Sequence, residues 1–164
     1  HGIATTPIQL ARGYAILSNG GYKVNPTLIK KKFDKTKKQK ILNNDTSSKI
    51  NSILRKVVTS GTASLSDVDG YEVGGKTGTA QVVENGIYTN KKINTFASVF
   101  PISDPKYVLV ILLEDTKLST DYVYKYRNNS GSFKGTPFNT AGWTSVEIAG
   151  KIIDKIGPIL ATKY

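Results

Sequence analysis

The chain has 164 residues, of which 38% are hydrophobic and 21% charged, so it has the length and apolar content of one globular domain with a core. It contains no Cys, and its one His is His1, which excludes disulfide scaffolds, thiol nucleophiles and Cys/His zinc sites, and disfavours a Ser-His-Asp triad. The formal net charge of +11 is compatible with nucleic acid, an anionic membrane surface or simple solubility, and does not choose among them.

Two helices are predicted before residue 61. The first covers residues 6–17, with a capping box at Thr6 and Gln9, and ends at the sequence Asn19-Gly20-Gly21. The second starts after Asp45 or Thr46 as its cap. Five apolar residues at helical spacing are expected to face the core: Ile50, Ile53, Leu54, Val57 and Val58. Between the helices, residues 30–40 hold seven lysines and are interpreted as a solvated loop, with attraction to anionic lipid headgroups as the alternative.

Extended structure is predicted from residue 71 onward. Residues 71–83, 87–88 with 95–100, and 107–113 are interpreted as three antiparallel strands, with a turn at Asn85-Gly86. The last strand is continuously apolar and is therefore expected in the sheet interior with both faces covered. Residues 117–141 are polar and aperiodic, which predicts a long loop.

A third helix is predicted to begin at a capping box formed by Thr144 and Glu147 and to end at Gly157-Pro158. The lone Trp143 is expected to anchor this helix on the sheet. The element order predicts an α+β fold in which helices pack on an antiparallel sheet.

The segment of residues 74–81, Gly-Gly-Lys-Thr-Gly-Thr-Ala-Gln, is unusual for a strand, since glycines weaken pairing unless something approaches the backbone closely. The alternation of side chains along a strand places Lys76 and Gly78 on one face and Thr77 and Thr79 on the other. An ammonium group, two hydroxyls and bare backbone suit a substrate that carries a carboxylate.

The sequence Lys76-Thr77-Gly78-Thr79 resembles the Lys-Thr-Gly motif of penicillin-binding proteins and serine β-lactamases. Residues 1–21 are similar to the helix region that precedes this strand in class B penicillin-binding proteins, and residues 96–113 and 140–160 to the end of the septal cell-division type. The resemblance implies the C-terminal portion of the penicillin-binding protein/serine β-lactamase-like fold, and residues 1–164 are expected to be the C-terminal part of a transpeptidase domain.

The resemblance also implies roles for the motif. Lys76 would supply positive charge near the substrate carboxylate and influence proton movement around the serine. The Thr77 and Thr79 hydroxyls would bind that carboxylate, and the Thr79 backbone N–H would be one of two donors to the oxyanion. Gly78 would keep the strand open to the peptide stem or the β-lactam.

The family's nucleophile lies in a Ser-x-x-Lys motif, and a Ser-x-Asn motif assists proton transfer. Both parts are expected to lie upstream of His1 and to be absent from this chain. Seven serines without Lys three residues later support this: Ser47, Ser48, Ser52, Ser60, Ser64, Ser130 and Ser132. The chain alone is therefore expected to be catalytically inert.

The implied function is peptidoglycan cross-linking during division by acyl transfer through that serine, with no metal or organic cofactor. The implied partners are stem peptides, β-lactams and divisome membrane proteins, at the periplasmic face of the inner membrane through an N-terminal anchor outside this chain. The alternatives are a β-lactamase or β-lactam sensor of the same fold, disfavoured by Ala141-Gly142-Trp143, and a non-catalytic module that binds wall polymer or a divisome partner. A nucleic-acid partner is not expected, although residues 122–127 interleave tyrosines with cations.

Overall fold

The structure, a computed structural model, describes residues 3–29, 39–127 and 130–163. Three helices and two antiparallel sheets make up its regular structure, which confirms the predicted α+β class. The elements in chain order are α1 (Pro7–Ser18), α2 (Asn44–Thr59), β1 (Gly74–Glu84), β2 (Ile87–Phe100), β3 (Tyr107–Glu114), β4 (Val123–Lys125), β5 (Ser132–Lys134) and α3 (Ser145–Ala161). Two short 3₁₀ turns, Ser64–Ser66 and Ala141–Trp143, complete the fold.

Helix α1 begins at the predicted capping box. The Gln9 backbone N–H donates to the Thr6 hydroxyl at 3.3 Å, and the Thr6 backbone N–H donates to the Gln9 side chain at 2.8 Å. The helix ends where predicted, because Gly20 and Gly21 have φ values of +86° and +85°. A Cβ atom on Gly21 would lie 2.2 Å from the Leu42 carbonyl oxygen, so only glycine fits at this position.

Helix α2 is present, but two details of its prediction are wrong. Its cap is Asn43, whose side chain accepts the Thr46 N–H at 2.7 Å, so Asp45 lies in the first turn, where its charge favours the helix dipole. Leu54 and Val58 are buried as expected, whereas Ile53 is 62% exposed. The helix packs against β1 and α1 and therefore buries a narrower stripe than the apolar pattern suggested.

The main sheet has the strand order β1-β2-β3, with both pairs antiparallel. The predicted turn is confirmed: Asn85 and Gly86 both have positive φ, as a two-residue hairpin requires. Strand β2 is continuous over 14 residues and includes residues 89–94, which the predicted extended segments left out. Val99 faces a small cluster with Leu54 of α2, while the adjacent Phe100 faces the main core on the α3 side.

Strand β3 is present as predicted, and no strand pairs with its outer edge among the described residues. It forms one edge of the three-stranded sheet in the described part of the chain, and its residues are half-buried or exposed. Leu112, for example, is 45% exposed.

Residues 117–141 are not a wholly irregular loop as predicted, because β4 and β5 form a small antiparallel hairpin within them. Tyr124 is only 3% exposed, while its neighbours in β4 are exposed. Its ring meets Trp143 edge to face at 5.1 Å, and Phe133 of β5 lies 5.3 Å from the same Trp ring. Trp143 therefore contacts the hairpin in addition to the main core between α3 and the sheet, where it was expected.

The predicted start of α3 at Thr144 is correct, but the predicted capping box and the predicted end of the helix are wrong. Thr144 makes no capping bond and instead donates its hydroxyl proton to the Thr140 carbonyl at 2.8 Å, and the Glu147 carboxylate turns to Arg127. The helix continues through Pro158 to Ala161, since a proline so near the end costs few helical hydrogen bonds. In the described ranges, no helix combines the length and apolarity needed to cross a membrane.

The predicted lysine-rich loop lies mostly outside the described residues, since residues 30–38 are not described. At its far end, Lys40 forms an isolated antiparallel bridge with Tyr22. The Lys23 N–H donates to the Gln39 carbonyl at 2.9 Å. The segment that follows α1 is thus tied to the segment that precedes α2.

Candidate active site on the first strand

The glycines that open β1 are explained by packing within the protein. A Cβ atom on Gly75 would lie 2.6 Å from the Phe96 ring and 2.7 Å from the Ala97 carbonyl oxygen, and Phe96 is fully buried. At Gly78, the nearest atom to such a Cβ is the Thr95 oxygen at 4.0 Å. The close approach expected of this strand is therefore made by the protein's own Phe96 at Gly75, while Gly78 leaves open space.

This contrast gives a prediction for a pair of glycine variants. Gly75→Ala is expected to lower the free energy of unfolding by about 1–3 kcal/mol, because the buried Phe96 ring cannot move away. Gly78→Ala is expected to change it by no more than about 0.5 kcal/mol, since its methyl group meets nothing. Urea unfolding followed by circular dichroism measures both, and equal losses in the two variants would contradict the packing argument.

The structure brings the two threonines of the motif together on one face of β1, as the alternation predicted. The Thr77 and Thr62 hydroxyls lie 2.9 Å apart, and the Thr79 hydroxyl accepts the Ala141 N–H at 3.0 Å. Lys76 is exposed and does not line the cleft that these threonines share; its Nζ donates to the Thr77 carbonyl at 2.8 Å.

Thr77 and Thr79 open onto a cleft of about 330 Å³. One wall is the segment of residues 61–65 that follows α2, and the other is residues 140–143, which lead into α3. Tyr126 also lines the cleft. The cleft therefore combines hydroxyl groups, glycine backbone and aromatic surface, which suits a peptide that ends in a carboxylate.

A buried polar network behind Thr79 was not identified from the sequence. The Thr79 hydroxyl donates to Asn94 Oδ1 at 3.1 Å, and Asn94 is fully buried. Asn94 Nδ2 donates to Thr116 Oγ1 at 3.0 Å and to Asn139 Oδ1 at 2.7 Å. Asn139 Nδ2 donates to the Thr116 carbonyl at 2.8 Å. Asn94 stands among other polar residues of β2, between Lys92 and Thr95, so its sequence context gave no signal of its burial.

A buried ion pair supports the cleft wall of residues 61–65, and the sequence did not predict it. The Arg127 guanidinium binds the Glu147 carboxylate through contacts of 2.9 and 3.2 Å, and the two side chains are 11% and 6% exposed. Arg127 also donates to the Leu65 carbonyl, and Tyr122 donates to Glu147 at 2.9 Å. The pair ties the 61–65 wall to α3. Two of the aromatic and cationic side chains of residues 122–127, Tyr122 and Arg127, thus form contacts within the protein.

Tyr124 holds the end of the 3₁₀ turn beside the cleft. Its hydroxyl donates to the Trp143 carbonyl at 2.8 Å and lies 2.7 Å from the Thr136 hydroxyl. Burial raises the pKa of the Tyr124 hydroxyl above its ordinary value. The group therefore stays protonated at neutral pH and keeps its donor role.

One serine does have a lysine three residues later, so the expectation that this spacing is absent is wrong. Ser103 precedes Lys106 in the sequence Ser-Asp-Pro-Lys, in the connection between β2 and β3. The exposed Ser103 hydroxyl donates to the Glu72 carboxylate, and Lys106 pairs with Asp104 at 2.7 Å. Ser103 lies next to α2 at the start of β1 and does not line the cleft of Thr77 and Thr79.

Other candidate sites on the surface lie away from the motif. A larger cleft of about 570 Å³ lies between α1 and β3 and is lined by none of residues 76–79. Among residues 3–29, 39–127 and 130–163, no three His, Cys, Asp or Glu side chains are grouped to hold a metal ion. The adjacent residues Glu114 and Asp115 lie at the end of β3, where Asp115 pairs with Lys117 at 3.0 Å.

Comparisons with known proteins point to one family. The family model of the penicillin binding protein transpeptidase domain matches residues 1–134. A peptidoglycan D,D-transpeptidase FtsI homolog of Mesostigma viride is 34% identical over 74% of this chain and 24% of its own length. A probable peptidoglycan D,D-transpeptidase FtsI of Caulobacter vibrioides is 31% identical over 99% of this chain and 27% of its own length. The chain thus spans about a quarter of the length of these curated relatives.

Solved structures share the fold. The apo transpeptidase domain of penicillin-binding protein 3 from Burkholderia pseudomallei has a TM-score of 0.72 at 21% identity, over 97% of this chain and 44% of that one. The transpeptidase domain of FtsI4 D,D-transpeptidase from Legionella pneumophila has a TM-score of 0.62 at 26% identity, over 93% and 47%. With the family model matching most of its length and the motif strand beside a cleft, the chain belongs to the penicillin-binding protein transpeptidase domain family.

Proposed function

We propose that this chain is the C-terminal part of a peptidoglycan D,D-transpeptidase of cell division, and that it supplies one wall of the active site. The observation that carries the proposal is the placement of Thr77 and Thr79 on one face of β1, opening onto the cleft between residues 61–65 and 140–143. The relatives named as D,D-transpeptidases, and the fraction of their length that this chain spans, support it.

The proposed reaction is acyl transfer in two steps. A serine outside this chain attacks the carbonyl carbon of a D-Ala-D-Ala stem, forms an acyl-enzyme and releases the terminal D-Ala. An amine of a neighbouring stem peptide then attacks the ester and restores the serine. The proposal requires no metal or organic cofactor.

The motif residues have distinct proposed roles. The Thr79 backbone N–H is one donor to the oxyanion, a contribution of roughly 3–4 kcal/mol in comparable sites. The threonine hydroxyls of β1 bind the substrate carboxylate, and Gly78 leaves room for the stem peptide or the β-lactam. Lys76 supplies positive charge near that carboxylate and influences proton movement around the serine.

The test is labelling by a fluorescent penicillin. The 164-residue chain is compared with a protein extended upstream of His1 in its native reading frame. We expect covalent label on the extended protein alone, because the nucleophile is proposed to lie outside this chain. A folded extended protein that takes no label, and that binds purified peptidoglycan in a salt-sensitive way, would overturn the proposal in favour of a non-catalytic binding module.

The proposed setting follows from the family resemblance. The complete protein would act at the periplasmic face of the inner membrane, held by an N-terminal anchor outside this chain, beside divisome membrane proteins. Fractionation of cells that express the tagged, extended protein tests this placement. Recovery of the protein in the soluble cytoplasmic fraction would contradict it.

A further inference from the structure

Thr62 brings a further hydroxyl to the cleft beside the two threonines of β1. It lies 15 positions before Thr77, in the segment that follows α2, and the two hydroxyl oxygens are 2.9 Å apart, with either group able to donate. The Thr62 side chain is exposed and that of Thr77 is half-buried. A ligand in the cleft can therefore reach this pair of hydroxyls.

The backbone on both sides of the cleft sets the position of Thr62. The adjacent Ala63 is fully buried, and its N–H donates to the Val57 carbonyl of α2 at 3.0 Å. From the opposite wall, a Cβ atom on Gly142 would lie 2.8 Å from the Thr62 carbonyl oxygen, so the two walls meet closely there. Because these contacts are made by backbone and by neighbouring residues, the Thr62 hydroxyl can be removed without moving the wall.

The direction of the bond between the two hydroxyls depends on what Thr77 binds. A carboxylate is an acceptor only, so a threonine that binds it must donate its one proton to it. The Thr77 oxygen then remains an acceptor, and the Thr62 proton is the one that can fill the 2.9 Å gap between them. If Thr77 donated to Thr62 instead, its proton would be turned away from the ligand.

We propose that Thr62 is a positioning residue for the substrate carboxylate, which donates its hydroxyl proton to Thr77 and so directs the Thr77 proton into the cleft. This inference rests on the proposed transpeptidase function, in which the Thr77 and Thr79 hydroxyls bind that carboxylate. Thr62 acts through Thr77, and hydrogen bonds to an ionised acceptor are about twice as strong as those to a neutral one. Its contribution therefore depends on the charge of the ligand.

The test measures how the acylation rate of the extended protein depends on penicillin concentration, which separates the dissociation constant from the acylation rate constant. Thr62→Val removes the hydroxyl and keeps the shape of the side chain. We expect it to raise the dissociation constant by about three- to tenfold, the effect of one hydrogen bond, and to change the rate constant by less than about twofold. Thr62→Ser keeps the hydroxyl and is expected to restore the dissociation constant.

Three comparisons make this result specific. With penicillin methyl ester, whose carboxylate is masked, Thr62→Val is expected to change the dissociation constant by less than about twofold. In a Thr77→Val background, loss of the Thr62 hydroxyl is expected to have no further effect, because the two residues act through one bond. Thr59→Val is the control: the exposed Thr59 hydroxyl donates to the Arg55 carbonyl at 3.3 Å, outside the cleft, and its loss should leave binding unchanged.

Four outcomes would overturn the inference. They are an unchanged dissociation constant in Thr62→Val, an equal loss with the methyl ester, failure of Thr62→Ser to restore binding, and a full further loss in the Thr77→Val background, which would show that Thr62 binds the ligand directly. If Thr62→Val does not fold, Thr62→Ala removes the same hydroxyl and takes its place. If the unmodified extended protein folds and is not acylated, the proposed function itself fails, which is a separate result.

Discussion

Replacement of Lys76 by Ala in the extended protein is expected to slow penicillin acylation by roughly 10²–10⁴-fold, the usual contribution of a group that assists proton transfer. The Lys76 side chain is exposed, and its Nζ donates to the Thr77 carbonyl of its own strand. Its removal should therefore change the free energy of unfolding by no more than about 0.5 kcal/mol. Stopped-flow acylation and urea unfolding measure the two quantities.

Two further lysine variants make this result specific. Lys91→Ala removes the same charge from the exposed end of the β1–β2 hairpin, where Lys91 pairs with Glu84 at 2.8 Å, and should leave acylation unchanged. Lys76→Arg keeps the charge but cannot act as a base, because a guanidinium stays protonated. An unchanged acylation rate in Lys76→Arg would show that Lys76 contributes only its charge. An unchanged rate in Lys76→Ala would show that Lys76 takes no part in acylation.

Replacement of Glu147 by Ala is expected to lower the free energy of unfolding of the extended protein by about 3–5 kcal/mol, because it leaves the Arg127 guanidinium buried without its counter-ion. This loss should lower the urea concentration at the midpoint of unfolding. Removing both charges in Arg127→Met/Glu147→Leu should recover much of the loss, since no uncompensated buried charge is left.

The control for this prediction is an exposed ion pair. Glu84 and Lys91 are joined at 2.8 Å with side chains 50% and 49% exposed, and Glu84→Ala is expected to cost no more than about 1 kcal/mol. A loss at Glu147 as small as that at Glu84 would show that the buried pair contributes little. The Glu147 variant should also slow acylation, because Arg127 holds the Leu65 backbone in the cleft wall.

The elements that the sequence predicted correctly have their determinants within a few residues of one another. The capping box of Thr6 and Gln9 spans four residues, and Asn85 and Gly86 form the hairpin turn alone. The errors arose where tertiary contacts overrode such signals. Glu147 left the predicted capping box for Arg127, and α3 continued through Pro158.

The sequence by itself determined the motif strand and the common face of Thr77 and Thr79, because the alternation of side chains along a strand is local geometry. Only the tertiary structure decided which groups surround that face. Asn94 meets Asn139 across 45 positions of sequence, and Ala141 meets Thr79 across 62. Such partners share no period or spacing in the sequence, since their contact depends on the packing of the sheet, the hairpin and α3 together.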